Sequence, residues 1–242
     1  MIVLFTDFGL RGPYVGQMKA RILAAAPDVP VVDLLHDAPV MDPRASSYLL
    51  EPFVRQLPSG SVVLAVVDPG VGTGERDGAV LYADGRWFVG PDNGLFEFVQ
   101  RRAAMVRRWR LPDPDARVSP TFHGRDVFAQ VAASLYLNGA AGNWDERPGP
   151  RFDWGDDTPF VLYIDEYGNA ITGIRGEMLA DSAVLEVAEQ PLHHGPTFGR
   201  VPVGSGFWYR NSSGLVEVAV NQGSAAAVFG LARGSRVRLV RT

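Results

Sequence analysis

The sequence predicts an α/β domain with a largely parallel sheet, followed by a smaller all-β domain. Three observations carry this. Up to about residue 138, short apolar runs alternate with stretches whose apolar residues recur every four positions, the signature of strands alternating with helices. Beyond about residue 158 the runs are short and separated by turn residues, as in a small barrel or sandwich. Between the two lies NGAAGNWDERPGPRFDWGDDTP, rich in Gly, Pro and Asp and without periodicity. The chain therefore divides into residues 1–142, a linker at 143–158, and residues 159–242.

The elements follow in order. MIVLF (1–5) is a short apolar run, as expected for a strand buried on both faces. Over 13–26, Tyr14, Met18, Ile22 and Ala26 mark one face of a helix. PVVDLL (30–35) reads as a strand. Residues 43–56 read as a helix that stops before Pro58-Ser59-Gly60. SVVLAVVD (61–68) is the most strand-like run of the chain. Asp84-Gly85, set between AVLYA and RWFVG, signals a hairpin. Residues 94–102 and 124–138 read as helices. In the second domain FVLYID, AVLEVA, LVEVAV, AAVFG and RVRLV read as strands.

Composition narrows the function. With 46% hydrophobic and 21% charged residues the chain is of ordinary globular type. No apolar run reaches the ~18–20 residues of a membrane span. The N-terminal segment lacks a basic leader region and meets Asp7 early, so the cytoplasm is the expected compartment and no membrane partner is expected. There is no cysteine, which excludes thiolate metal sites and cysteine nucleophiles. A net charge of −4 argues against nucleic acid as the main partner. Lys19 is the only lysine, so Schiff-base chemistry has one candidate. His193-His194 has no third ligand nearby, and no metal is expected.

In open α/β sheets ligands bind beyond the carboxyl ends of the strands. Four polar clusters fall there or in loops: Thr6-Asp7-Phe8-Gly9, Asp68-Pro69-Gly70-Val71-Gly72, Gly90-Pro91-Asp92-Asn93-Gly94 and Phe122-His123-Gly124-Arg125-Asp126. An acid at position 7 fits a ribose diol, and equally a loop-bracing carboxylate. Asp68 on its own reads as the initiator of a tight turn. His123 on its own reads as a structural hydrogen-bonder whose loop position raises its functional odds. Arg125-Asp126 reads as an internal ion pair. In the second domain Asp165–Asn169 and Asn211–Gly214 read as hairpin turns.

Taken together, six motifs resemble one family. TDFG (6–9), VVDPGVGT (66–73), GPDNGL (90–95), TFHGRDVFAQVAA (121–133), DEYGNAIT (165–172) and NSSGLVEVAVNQGSAA (211–226) stand in the order seen in the S-adenosylmethionine hydrolases (adenosine-forming), relatives of fluorinase and chlorinase. The resemblance covers essentially the whole chain. It implies hydrolysis of S-adenosyl-L-methionine to adenosine and methionine, with no cofactor. It also implies a homotrimer binding substrate between the N-terminal domain of one subunit and the C-terminal domain of the next.

Residue by residue, the resemblance implies a catalytic trio of Asp68, Arg76 and His123. It places Asp7 on the ribose diol, Phe8 beside it, and Met41 where the halogenases stack an aromatic. Asn169, Ser212, Glu217, Asn221 and Gln222 match the adenosine-contacting positions. For Glu217 the alternating valines around it equally suggest a solvated strand residue. The halogenases carry tyrosines in place of Asp68 and His123. Arg76 stands eight positions after Asp68, one more than the family's usual spacing, which leaves its reach an open question. A halogenase, or a non-catalytic sensor of adenosine or S-adenosylmethionine, is the alternative.

Overall fold

The computed structural model describes residues 1–74, 76–114 and 118–241. These fall into two compact units, 1–153 and 154–242.

The first unit opens with β1 (Ile2–Thr6), every residue of which is buried. A strand covered on both faces needs the continuous apolar run seen in the sequence. Helix α1 (Tyr14–Ala25) buries Val15, Met18 and Ile22, close to the predicted stripe. Strand β2 (Val31–Leu35) lies at the sheet edge and pairs parallel with β1. Asp42 caps helix α2 (Pro43–Val54) by accepting from the Ala45 amide, with proline in the first turn. Strand β3 (Val62–Val66) is wholly buried and parallel to β1. The predicted hairpin forms β4 (Gly78–Ala83) and β5 (Arg86–Pro91), with Asp84 and Gly85 both at positive φ. Helix α3 (Glu97–Arg102) starts three residues later than the sequence reading. Strand β6 (Val106–Arg110) was not foreseen. Helix α4 (Ala129–Asn138) is preceded by one π-helical turn, Gly124–Phe128.

The sheet order is β2-β1-β3-β5-β4-β6-β7, where β7 is Asp145–Glu146. Pairing is parallel across β2-β1-β3-β5. The hairpin reverses direction, so β4, β6 and β7 continue the sheet antiparallel. One core joins Leu4, Met18, Ile22, Leu64, Val89, Phe128 and Ala132.

Residues 143–158, read as a linker, are in part tied to this unit. Strand β7 pairs with β6, Arg147 reaches Asp77 at 2.7 Å, and the Arg101 guanidinium donates to the Phe152 carbonyl at 2.8 Å. Strand pairing, arginine side chains and Trp144 packed against the core hold the segment, none of which needs a periodic apolar stripe.

The second unit holds a four-stranded antiparallel sheet, β12-β13-β9-β8. Its strands are β8 (Thr158–Ile164), β9 (Ala170–Arg175), β12 (Gly206–Arg210) and β13 (Leu215–Val220). A three-stranded sheet joins β10 (Val184–Val187), β11 (Gln190–Leu192) and β14 (Arg238–Arg241). Trp208, Val216, Val218 and Leu185 lie in its core. One strand expectation fails. AAVFG belongs to helix α5 (Ala225–Phe229), capped by the Ser224 hydroxyl on the Ala227 amide and ended by Gly230 in the left-handed region. Those local caps outweigh the β-preference of so short an apolar run.

Candidate active site

Asp68 follows β3 by one residue beyond Val67. The Asn93 side-chain amide donates to the Val67 carbonyl at 2.9 Å, tying the GPDNGL loop beneath it. Gly90 lies against β3 so closely that a Cβ there would strike the Ala65 carbonyl. The Asp68 loop turns through a Thr73 hydroxyl–Gly70 carbonyl bond of 2.9 Å. Gly72 stands at φ +77°, and a Cβ on it would run into the carbonyl of Pro120. The loop after β3 and the loop before the π-turn are thereby in direct contact.

Arg76 pairs with Asp68, and His123 lies close enough to Arg76 to feel its charge. The Arg76 Nε donates to Asp68 Oδ1 at 2.6 Å, and its Nη2 lies directly against Oδ2, so the pair is two-pronged. Both side chains are nearly buried, 11% exposed for Arg76 and 5% for Asp68. Gly74 stands at positive φ in this loop, Arg76 reaches Asp68, and Glu75 lies outside the described residues. Burial pushes the Arg76 guanidinium down to about 10 while Asp92 pulls it up. With the Asp68 carboxylate in contact, Arg76 is a cation at neutral pH.

His123 immediately precedes the π-turn, its ring edge-on to Phe128 at 6.5 Å. Burial first, and then the positive charge of Arg76, hold its pKa below the ordinary value; Asp126 opposes them weakly. A neutral imidazole results, able to accept a proton. Arg125 and Asp126 form the internal ion pair expected, with two bonds of 2.6 Å.

Asp7 follows β1 and accepts the Met41 amide at 2.9 Å. Burial raises its pKa, and that amide partly offsets the rise. Phe8 packs edge-on against Tyr14 and Phe122, the residue before His123, with centroids 6.1 and 5.6 Å away. Phe8 thus links the Asp7 loop to the His123 loop. Met41 is 71% exposed at φ 54°, free to lie on a ligand. Asp7, Phe8, Met41, Asp68, Arg76 and His123 all fall in loops of the first unit, around the carboxyl ends of β1 and β3.

In the second unit Asn169 is buried in the hairpin joining β8 and β9. There the Asp165 carboxylate accepts the Asn169 amide at 2.8 Å and its side-chain nitrogen at 3.1 Å. Glu217 is buried and not solvated; it accepts the Tyr209 hydroxyl and, at 2.9 Å, the Asn211 side-chain amide. Burial raises its pKa, against those two bonds. Both carboxylate oxygens are thus occupied by the chain itself. Asn211 in turn fixes the turn bearing Ser212, accepting from Ser213 and Leu215 amides at 3.0 Å each, and Ser212 is exposed. Asn221 is buried, donating to the Val201 carbonyl at 2.7 Å, while Gln222 is exposed at φ 54°. Tyr209 was missed by sequence reasoning. Its position opposite Glu217 across β12 and β13 follows only from the register.

Among the described residues no group of three or more His, Asp or Glu side chains could hold a metal ion. No helix among them is long and apolar enough to cross a membrane.

Residues 2–143 match the SAM hydroxide adenosyltransferase N-terminal domain, and residues 160–238 match the C-terminal domain of the same family. The chain belongs to the SAM hydroxide adenosyltransferase family. It is 41% identical over 265 residues to the (R)-S-adenosyl-L-methionine hydrolase of Thermus thermophilus, covering 99% of each chain. It is 26% identical to a fluorinase from Actinopolyspora mzabensis, covering 100% of this chain and 97% of that one. A solved structure from Thermotoga maritima superposes with a TM-score of 0.89 at 28% identity, covering 100% of both chains.

Proposed function

We propose that this chain hydrolyses S-adenosyl-L-methionine to adenosine and L-methionine, by in-line attack of water on the ribose 5′ carbon. The observation that carries the reading is the buried Asp68–Arg76 pair beside a neutral His123, at the carboxyl end of the N-terminal sheet. The hydrolase name of the 41% identical relative supports it.

The chemistry follows from charge. The sulfonium leaves as a neutral thioether, so no acid is needed at the leaving group. The nucleophile is the difficulty, because bulk water has a pKa near ~16. His123, held neutral, takes a proton from the attacking water. Arg76, locked in place by Asp68, stabilises the developing hydroxide without reorganising. The proton on His123 then passes to solvent, leaving adenosine, methionine and one proton. Asp7 accepts the ribose hydroxyls and sets the line of attack. Asn169, Ser212, Asn221 and Gln222 contact the adenosine, while Glu217 holds the Asn211–Ser212 turn from behind.

A carboxylate at position 68 disfavours halide as nucleophile, since like charges in a desolvated site repel strongly. The assembly proposed is a homotrimer that completes each site between two subunits, in the cytoplasm. Incubation with S-adenosyl-L-methionine in chloride buffer, followed by chromatography, tests the activity. Adenosine and methionine in equal amounts support it; 5′-chloro-5′-deoxyadenosine, or tight binding without turnover, would overturn it.

A further inference from the structure

A line of polar side chains runs beneath the Asp7 loop that the mechanism does not use. Thr6 Oγ1 and His36 Nδ1 are 2.8 Å apart, both residues buried at the ends of adjacent strands. His36 Nε2 meets Asp33 Oδ1 at 2.9 Å, and Lys19, the only lysine, meets Asp33 Oδ2 at 2.6 Å. At the other end the Phe8 amide donates to Thr6 Oγ1 at 3.3 Å.

One tautomer of His36 satisfies every bond in the line. In that tautomer Nε2–H donates to Asp33 Oδ1 and Nδ1 offers its lone pair. The Thr6 hydroxyl must then donate to Nδ1, which leaves its oxygen free to accept the Phe8 N–H. The line is fully satisfied from Lys19 to the peptide joining Asp7 and Phe8. Backbone bonds reinforce it: the Gly9 amide donates to the His36 carbonyl at 2.6 Å, and the Ala38 amide to the Thr6 carbonyl at 3.1 Å. The same two loops meet again where Met41 donates to Asp7.

Burying a hydroxyl and an imidazole in an otherwise apolar strand end is costly unless they are bonded. Packing alone would be served by apolar residues, as along the rest of β1. We infer that Thr6 and His36 are positioning residues, which act through the Asp7–Phe8 peptide to aim the Asp7 carboxylate at the ribose diol. The inference rests on the assignment of Asp7 to the ribose. Apart from its own backbone, the Met41 amide is the only group that bonds to Asp7 among the described residues. Its direction is set jointly by that amide and by the Asp7–Phe8 peptide plane, which the Thr6 hydroxyl holds.

The test measures adenosine binding to the full-length protein by calorimetry. Thr6→Val keeps the volume and the β-branching but removes the hydroxyl; Thr6→Ser restores the hydroxyl. Thr6→Val is expected to weaken adenosine about tenfold, the scale of one hydrogen bond, with Thr6→Ser within about twofold of the parent. His36→Leu removes the same bond from its other end, should match Thr6→Val, and should add nothing to it. In an Asp7→Ala background Thr6→Val should cause no further loss, because its effect passes through that carboxylate. Unchanged binding in Thr6→Val, or a loss that multiplies with that of Asp7→Ala, would overturn the inference alone. Unchanged binding in Asp7→Ala itself would overturn the ribose assignment and the inference with it.

Discussion

Replacing Asp68 by asparagine removes one charge from a desolvated pair and leaves the other behind. The Arg76 side chain is 11% exposed, so its guanidinium cannot turn to water without moving the loop. Breaking a buried pair from one side costs ~3–5 kcal/mol. Asp92 also acts on Arg76 and supplies part of the lost support, which places Asp68→Asn at the low end, ~3 kcal/mol. At about 2–4 °C per kcal/mol for a chain of this size, the unfolding midpoint should fall by roughly 6–12 °C. The rate of S-adenosyl-L-methionine hydrolysis should fall by about 100-fold or more, the scale of a lost charge stabiliser. Asp68→Asn with Arg76→Gln removes both charges and should recover most of the midpoint but none of the rate. Thermal unfolding followed by circular dichroism, beside a turnover assay, separates the two effects. An Asp68→Asn protein that melts with the parent would refute the desolvated pair. A double variant that regains activity would refute its role in the chemistry.

Three further predictions follow from the same geometry. Burial and Arg76 lower the His123 pKa, so the neutral base persists below the ordinary value of ~6.5 and activity is lost only as pH falls through the lowered value. In Arg76→Gln the acid limb of the residual kcat/KM profile should move up in pH, and a limb that stays in place would detach Arg76 from His123. The Asp7 pKa is raised, so adenosine affinity should fall with pH earlier than an ordinary aspartate allows; Asp7→Asn should bind more weakly at neutral pH, by ~1.5–3 kcal/mol per lost charged hydrogen bond, and independently of pH. Calorimetry across pH checks both parts, and a parallel pH dependence in the variant would exclude Asp7 as the titrating group. His123→Ala and Asp68→Ala should each slow turnover about 100-fold or more, and the double variant should be little slower than the poorer single one; penalties that multiply would mean the residues act separately.

Much of this was legible in the chain. The buried runs at 1–5 and 61–68 announce parallel strands because a strand covered on both faces has no polar side to show. The Asp-Gly pair announces its hairpin for an equally local reason. AAVFG misled because five apolar residues carry too little period to separate helix from strand, although Ser224 before it and Gly230 at its end were the better guides. Strand β6 reads VRRWR, whose arginines look like surface; Arg108 is in fact buried through bonds to Asp92 and Gln100. The loops bearing Asp7 and Asp68 could be placed from strand ends, and His123 from the helix it was read to precede. That Arg76 closes on Asp68 depends on a three-dimensional turn through Gly72 and Gly74, which spacing alone left open. The Thr6–His36 bond spans 30 positions, and no local pattern announces it.

The measurement that bears most directly on the account is the fate of the nucleophile. S-adenosyl-L-methionine is incubated with the protein in water enriched in oxygen-18, and the adenosine formed is analysed by mass spectrometry. The account predicts one solvent oxygen in adenosine, at the 5′ position, with production falling about 100-fold or more in His123→Ala. Adenosine free of the label, or labelled adenosine made equally fast by His123→Ala, would contradict it.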